Sequence, residues 1–214
     1  MSNEIKILKA TKLRFPQFFS EAEWCEQKLS QVLTEHGFKS TGLEEVYSVS
    51  VHKGLVNQIE HLGRSFSAAS TDHYKLVLPG DIIYTKSPTG DFPYGIIKQS
   101  KVEKSVIVSP LYAVFTPKTY ALGCIIDAYF ASPANTFNYL SSIIQKGAKN
   151  TINISNDTFL SKSLFLPVDE DEQKKIASCL TSLDELIKVQ AEKVNLLKSH
   201  KKGLMQRLFQ QSIT

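Results

Sequence analysis

The apolar positions of this chain change their period more than once. Between Tyr47 and about Leu166 they fall in short runs rich in β-branched and aromatic residues: YSVSVHKG, YKLVL, DIIYT, GIIK, SVIVS and YAVFT. Each run predicts a strand, because such side chains pack well on a pleated surface. Pro79-Gly80-Asp81 and Pro88-Thr89-Gly90-Asp91 supply turn chemistry. The stretch TYALGCIIDAYFASPANTFNYLSSIIQKGA is longer and alternates less. It predicts one or two helices broken near Pro133, with one more strand at TINIS. Upstream, Trp24, Leu29, Val32 and Leu33 can share a helical face and Gly37 stands at a helix stop, so Glu23 to His36 reads as a short helix. Residues 1–23 read as an arm. Pro16 prevents a helix from running through it, and Phe15, Phe18 and Phe19 are apolar enough to dock. Phe159 to Leu166 reads as the way out of the β-rich region.

After Pro167 the period is that of a helix. Asp169 is placed as an N-cap, and Glu172 three residues on completes a capping-box pattern. Asp169, Glu170, Asp171 and Glu172 also suit the positive end of a helix dipole. Ile176, Leu180, Leu183, Ile187, Gln190, Val194, Leu197, Lys201, Leu204 and Leu208 then follow in alternating steps of four and three, all apolar except Gln190 and Lys201. That is a heptad seam, which requires a second helix. A helix of ~42 residues reaches about 63 Å, whereas one packed on a globular body is usually about a dozen residues long. Length and regularity therefore disfavour a helix folded back on its own body.

No other segment matches the seam, so a second copy of the same helix is the simplest partner. Paired antiparallel, Ile176 meets Leu208, Leu180 meets Leu204, Leu183 meets Lys201, Ile187 meets Leu197 and Gln190 meets Val194. The two-fold axis then falls near Glu192, and the two polar positions discourage other registers. The fold class expected is α+β: a mixed, twisted β-rich domain over residues 1–166, followed by one long coiled-coil helix over 167–214.

Composition narrows the function classes. The chain has 214 residues with a net charge of +4, which permits a nucleic-acid partner without demanding one. Cys25, Cys124 and Cys179 are odd in number and far apart. They read as free thiols of a cytoplasmic protein rather than a disulfide framework or zinc site. The sequence has no apolar run of the ~20 residues that span a bilayer. Phosphate-binding loops of the Gly-x-x-x-x-Gly-Lys and Gly-x-Gly-x-x-Gly types are absent, as is a polar-Pro-Pro-aromatic motif for a flipped base. The histidines at 36, 52, 61, 73 and 200 show no metal spacing. Asp81 and Asp127 read as turn and helix-edge residues. The expectation is a protein without a catalytic site, metal or cofactor of its own.

Two segments resemble a known family. PVDEDEQKKIASCLTSLDELI followed by EKVNLLKSHKKGLMQRLF is similar to the helical conserved region of type I restriction-modification specificity subunits. The Glu172-Gln173 pair, Lys175-Ile176, the leucine seam and the closing KKGLMQRLF carry the likeness. KLRFPQF, then Glu23-Trp24 and a leucine, resembles the start of a target recognition domain in that family, and YKLVLPGDIIYTK and VIVSPLYAVF resemble its central strands. The resemblance implies a non-catalytic subunit that reads double-stranded DNA within a methyltransferase complex. Two recognition domains, held apart by paired helices, would each grip half of a split site. Modification subunits, and a restriction subunit where there is one, would be the protein partners. Members usually carry two recognition domains, whereas this sequence reads as one domain and one helix, a half subunit. Two copies would complete it, and a symmetric pair predicts a palindromic split site. A coiled-coil adaptor that bridges proteins without touching DNA is the other reading of the seam.

DNA affinity needs basic groups on phosphates, and sequence reading needs side chains at base edges. Three segments supply both. HLGRSFS offers Arg64 and Ser65. TKSPTGDFPYG offers Lys86, Ser87 and Thr89, extended by Lys98, Gln99, Lys101 and Lys104. QKGAKNT offers Lys146, Lys149 and Asn150. Arg64 suits guanine, and Gln99 or Asn150 suits adenine. Lysines on the non-seam face of the helix read as a solvated surface, part of which the resemblance assigns to the methyltransferase subunit.

Overall fold

The computed structural model describes residues 13–59, 71–146 and 152–209. A short 3-10 turn at Pro16–Phe18 lies in the arm. Then come β1 (Cys25–Lys28), α1 (Leu29–Val32), β2 (Leu33–Glu35), β3 (Tyr47–Ser50), β4 (Gly54–Asn57), β5 (Lys75–Val77), β6 (Ile82–Tyr84), β7 (Ile97–Gln99), β8 (Val106–Val108) and β9 (Ala113–Pro117). The chain continues through α2 (Tyr120–Phe130), α3 (Pro133–Ser141), β10 (Gln145–Lys146), β11 (Ile152–Asn153), α4 (Asn156–Leu160), β12 (Ser163–Leu166) and α5 (Glu170–Leu208). The α+β class is as expected.

A four-stranded antiparallel sheet in the order β2-β9-β6-β7 forms the middle layer. Successive side chains of a strand point to opposite faces, and β6 and β9 use both. Ile82, Tyr84, Ala113 and Phe115 face one core, built with Leu122, Ile126, Phe130 and Phe159 from the helices. Ile83 and Val114 face a second core with Val77, Val106 and Val108 of the β5-β8 pair, against which Tyr47, Val49 and Leu55 of the β3-β4 hairpin also pack. Burial on both faces explains why IIY and AVF read as continuous apolar runs. Phe159 stacks on Tyr84 at 5.0 Å and on Phe115 at 5.3 Å between ring centroids, which ties α4 to the sheet.

Pro133 separates two helices as expected. It occupies the first turn of α3, and Ser132 caps that helix by accepting from Asn135 N. A proline has no amide hydrogen to leave unpaired in a first turn. YSVSVHKG is divided instead of continuous: β3 ends at Ser50 and the chain returns through Gly54, at φ 68°.

The helix expected over Glu23 to His36 is corrected to β1, a single turn α1, and β2. β1 pairs antiparallel with β12, from Cys25 against Leu166 to Lys28 against Ser163. β2 pairs with β9, from Leu33 against Pro117 to Glu35 against Phe115. Long-range pairing overrode an ambiguous local pattern, since Leu29, Val32 and Leu33 reach the same core from this arrangement. Likewise, Phe159 to Leu166 completes α4, capped by Ser155, and then forms β12.

α5 is 39 residues long, about 58 Å. Asp169 caps it by accepting from Glu172 N at 2.7 Å. Its first turns are held against the body: Ala177 packs with Ala121 and Cys124 of α2, and Ile176 rests on the main core. From Thr181 to His200 every residue of α5 is exposed. The seam residues Leu183, Leu197 and Leu208 are 51%, 59% and 74% exposed, so α5 does not fold back on the body. Among the described residues no helix is long and apolar enough to cross a membrane.

Candidate nucleic-acid interface

Among the described residues, the candidates that flank the β6-β7 ladder lie beyond its two opposite ends. Tyr84 pairs with Ile97 at one end and Ile82 pairs with Gln99 at the other. The chain beyond Tyr84 carries Lys86, Ser87 and Thr89, and the chain beyond Gln99 carries Lys101.

At the first end a loop runs from Thr85 to Gly95. Its base is fastened: Tyr84 Oη donates to Tyr94 O at 2.8 Å, Thr89 and Phe92 exchange two backbone hydrogen bonds, and Phe92 is buried. Gly95, at φ 98°, lets the two limbs close, because a side-chain carbon there would stand 2.9 Å from Lys86 N. Lys86 itself holds a left-handed backbone, φ 55°, which an L-residue with a side chain adopts only when its surroundings impose it. Its ammonium donates to Ile154 O at 3.0 Å and to Asn156 Oδ1 at 2.6 Å. Burial pulls the Lys86 ammonium below the usual lysine range; Lys75 adds to this and Glu35 opposes it. Lys86 is therefore a tether of the loop to the start of α4. Ser87 and Thr89 stand exposed beyond it.

The same tether brings the loop to the residues that follow the β10-β11 pair. Ile154 and Asn156 directly follow the β10-β11 pair, whose strands carry Lys146 and lead to and from Lys149 and Asn150. Lys149, Asn150, Arg64 and Ser65 lie outside the described residues. Lys75 adds a further half-buried cation, its pKa lowered first by burial and also by Lys39.

The second end is occupied by the protein itself. Gln99 is 1% exposed, and its amide donates to Gly80 O at 3.2 Å and Tyr120 O at 3.1 Å while accepting from Cys124 Sγ at 3.0 Å. Gln99 as a reader of adenine is thus corrected: its hydrogen-bonding groups are spent in the core. Lys98 Nζ lies 3.6 Å from Asp127 Oδ1, and Lys101 Nζ lies 2.9 Å from Asp184 Oδ2 and 3.9 Å from Asp127 Oδ2. Lys104 pairs with Glu45 at 2.9 Å. Lys98 and Lys101 accordingly join β7, α2 and α5.

Sequence reasoning missed the partners of three charged groups and of one amide beside them. Asp81, buried in its turn, accepts from Thr116 Oγ1 at 2.7 Å and Leu78 N at 2.7 Å and lies 2.8 Å from His36 Nε2. Asp127 takes Lys98 and Lys101, as above; burial raises its pKa against the pull of both lysines. Glu172 does not turn back to complete a capping box. Fully buried, it takes Arg14 Nε and Nη2 at 2.7 Å each and Trp24 Nε1 at 3.0 Å. Gln173 beside it accepts from Thr119 Oγ1 at 3.0 Å and donates to Pro167 O at 3.0 Å. The Glu172-Gln173 motif therefore roots α5 in the arm and the body. A glutamate at the third helical position was the available signal, but the arginine that claims it lies 158 residues away.

The family model described as the type I restriction modification DNA specificity domain matches residues 68–199, well over half of the chain. The chain belongs to that family. The match takes in the loop beyond Tyr84, the β10-β11 segment, three of the four strands of the central sheet (β6, β7 and β9) and most of α5, so parts of both body and helix belong to the specificity architecture. This specificity chain has one target recognition domain and one long helix. A comparison with curated proteins found no match. Among the described residues no group of histidine, cysteine, aspartate and glutamate is placed to hold a metal ion.

Proposed function

We propose that this chain is the non-catalytic DNA-reading subunit of a type I methyltransferase complex, acting as an antiparallel pair through α5. Residues 1–166 serve as the target recognition domain and 167–214 as the spacer. The observation that carries this reading is the exposed stripe on a chain of the specificity family: Leu183, Ile187, Val194, Leu197, Leu204 and Leu208 run along one helix with nothing of this chain against them among the described residues. Each such residue buried contributes on the order of 1.5–3 kcal/mol, and left in water they invite aggregation. Ile176 and Leu180 begin the stripe half-buried against the body, so the outer layers of the paired helices would pack beside each partner's domain.

Two domains related by a two-fold axis read two inverted half-sites, hence a palindromic split target. The loop carrying Ser87 and Thr89, tied by Lys86 to Ile154 and Asn156 just after the β10-β11 pair, forms the DNA-facing surface, with Lys146, Lys149 and Asn150 as proposed contacts on sequence grounds. Arg64 and Ser65 are proposed contacts on sequence grounds. Double-stranded DNA, a second copy and methyltransferase subunits are the partners, with the restriction subunit joining where the system has one.

The test is co-expression with the neighbouring methyltransferase subunit, followed by sequencing of the methylated genome. A split palindrome is expected. Complex formation without any methylation or DNA binding would support a protein-bridging role instead.

A further inference from the structure

The root of α5 is bolted on two sides. On one, Glu172 is gripped by Arg14 through two parallel bonds and by Trp24, while Arg14 Nη2 also donates to Ala22 O at 2.8 Å. On the other, Lys101 bridges Asp184 of α5 and Asp127 of α2. Between them Gln173 spans Thr119 and Pro167, and Ala177 packs between Ala121 and Cys124. β12, which leads directly into α5, is paired along its length with β1. The amount of fixation is more than an attachment needs. Packing of small apolar residues alone would leave α5 free to rock, whereas paired bolts more than three helical turns apart, at residues 172 and 184, fix its direction.

Direction matters for a ruler. α5 is 39 residues and about 58 Å long, so a tilt of about 3° at its root moves its far end by one base-pair step, ~3.4 Å. We propose that Arg14, Glu172, Lys101 and Asp184 are positioning residues for spacer selectivity: they hold the angle between reading domain and ruler, and so select one number of base pairs between half-sites. This rests on the split-site reading above. Arg14 is suited to the task because a guanidinium meets a carboxylate in a fixed bidentate plane, which a lysine cannot reproduce.

The experiment uses the full chain co-expressed with its methyltransferase subunit, and reads the distribution of spacer lengths in the methylated genome. For wild type a single spacer length is expected. For Arg14→Met and Lys101→Met, half-site sequences stay the same while spacers one base pair shorter or longer rise at least ten-fold, more so in the double variant. Arg14→Lys falls between. A merely destabilised protein loses methylation at all spacers together and does not broaden the distribution. Lys101 is half-exposed, so Lys101→Met keeps the test available if Arg14→Met does not fold. A sharp wild-type spacer retained by folded variants overturns the inference alone. A continuous, unsplit wild-type site overturns the split-site reading and the inference with it.

Discussion

The side-chain amide of Gln99 lies against Gly123 of α2 so closely that a methyl group there would stand 2.4 Å from Nε2 and 3.0 Å from Pro117 Cγ. The amide cannot simply swing aside, because it is held by Gly80, Tyr120 and Cys124. Gly123→Ala is therefore expected to destabilise the protein by about 1–2 kcal/mol, from buried hydrogen bonds broken, despite the ~1 kcal/mol advantage of alanine in a helix. Urea denaturation checks it; an increase in stability would show that Gln99 repacks freely.

The seam makes a prediction about assembly. Leu183→Asp with Leu197→Asp places charges in layers that face Lys201 and Ile187 of a second copy. Light scattering after gel filtration should find the wild type as a dimer and the double variant as a monomer with an unchanged thermal transition of the body. A double variant that stays dimeric removes the proposed register.

The basic candidates predict different effects on DNA. For B-DNA each phosphate contact contributes ~0.9 to the slope of log affinity against log salt. Lys146→Gln and Lys149→Gln should each lower that slope by about this amount, whereas Lys98→Gln, whose ammonium faces Asp127, should leave it unchanged. Thr89→Ala should alter which half-site is preferred with little effect on stability. An unchanged preference would move the reading surface elsewhere.

Acid should undo the root of α5. Burial pushes the Glu172 carboxyl up, but the bonds from Arg14 and Trp24 outweigh it and the net shift is downward. A carboxylate with a lowered folded pKa contributes stability that is present above its unfolded value, ~4.3 for glutamate, and lost as pH falls through the folded value. The raised Asp127 carboxyl works in the other direction, but it is common to both proteins when wild type is compared with Glu172→Gln. The stability gap between them should be widest above about pH 5 and narrow below about pH 4. A gap independent of pH would mean that Glu172 contributes by shape alone.

The sequence by itself determined what is local and periodic. The stripe from Ile176 to Leu208 repeats within one element, so the long helix and its unpartnered face could be read without coordinates, as could the break at Pro133, where a ring and a missing amide hydrogen act on their own neighbours. β6 and β9 were legible too, because burial on both faces leaves a continuous apolar run. Only the tertiary structure decided what depends on distant partners. Residues 25–28 and 33–35 became strands because β12 and β9 supplied edges that no local pattern reveals. Glu172 was claimed by Arg14 and Trp24 instead of its own helix end, since a bidentate guanidinium in a buried site outcompetes a lone backbone amide. Gln99, Lys98 and Lys101 carry groups chemically fit for DNA, but folding gave those groups protein partners. Hydrogen-bonding capacity is written in the residue type, and who uses it is settled by what the chain brings alongside.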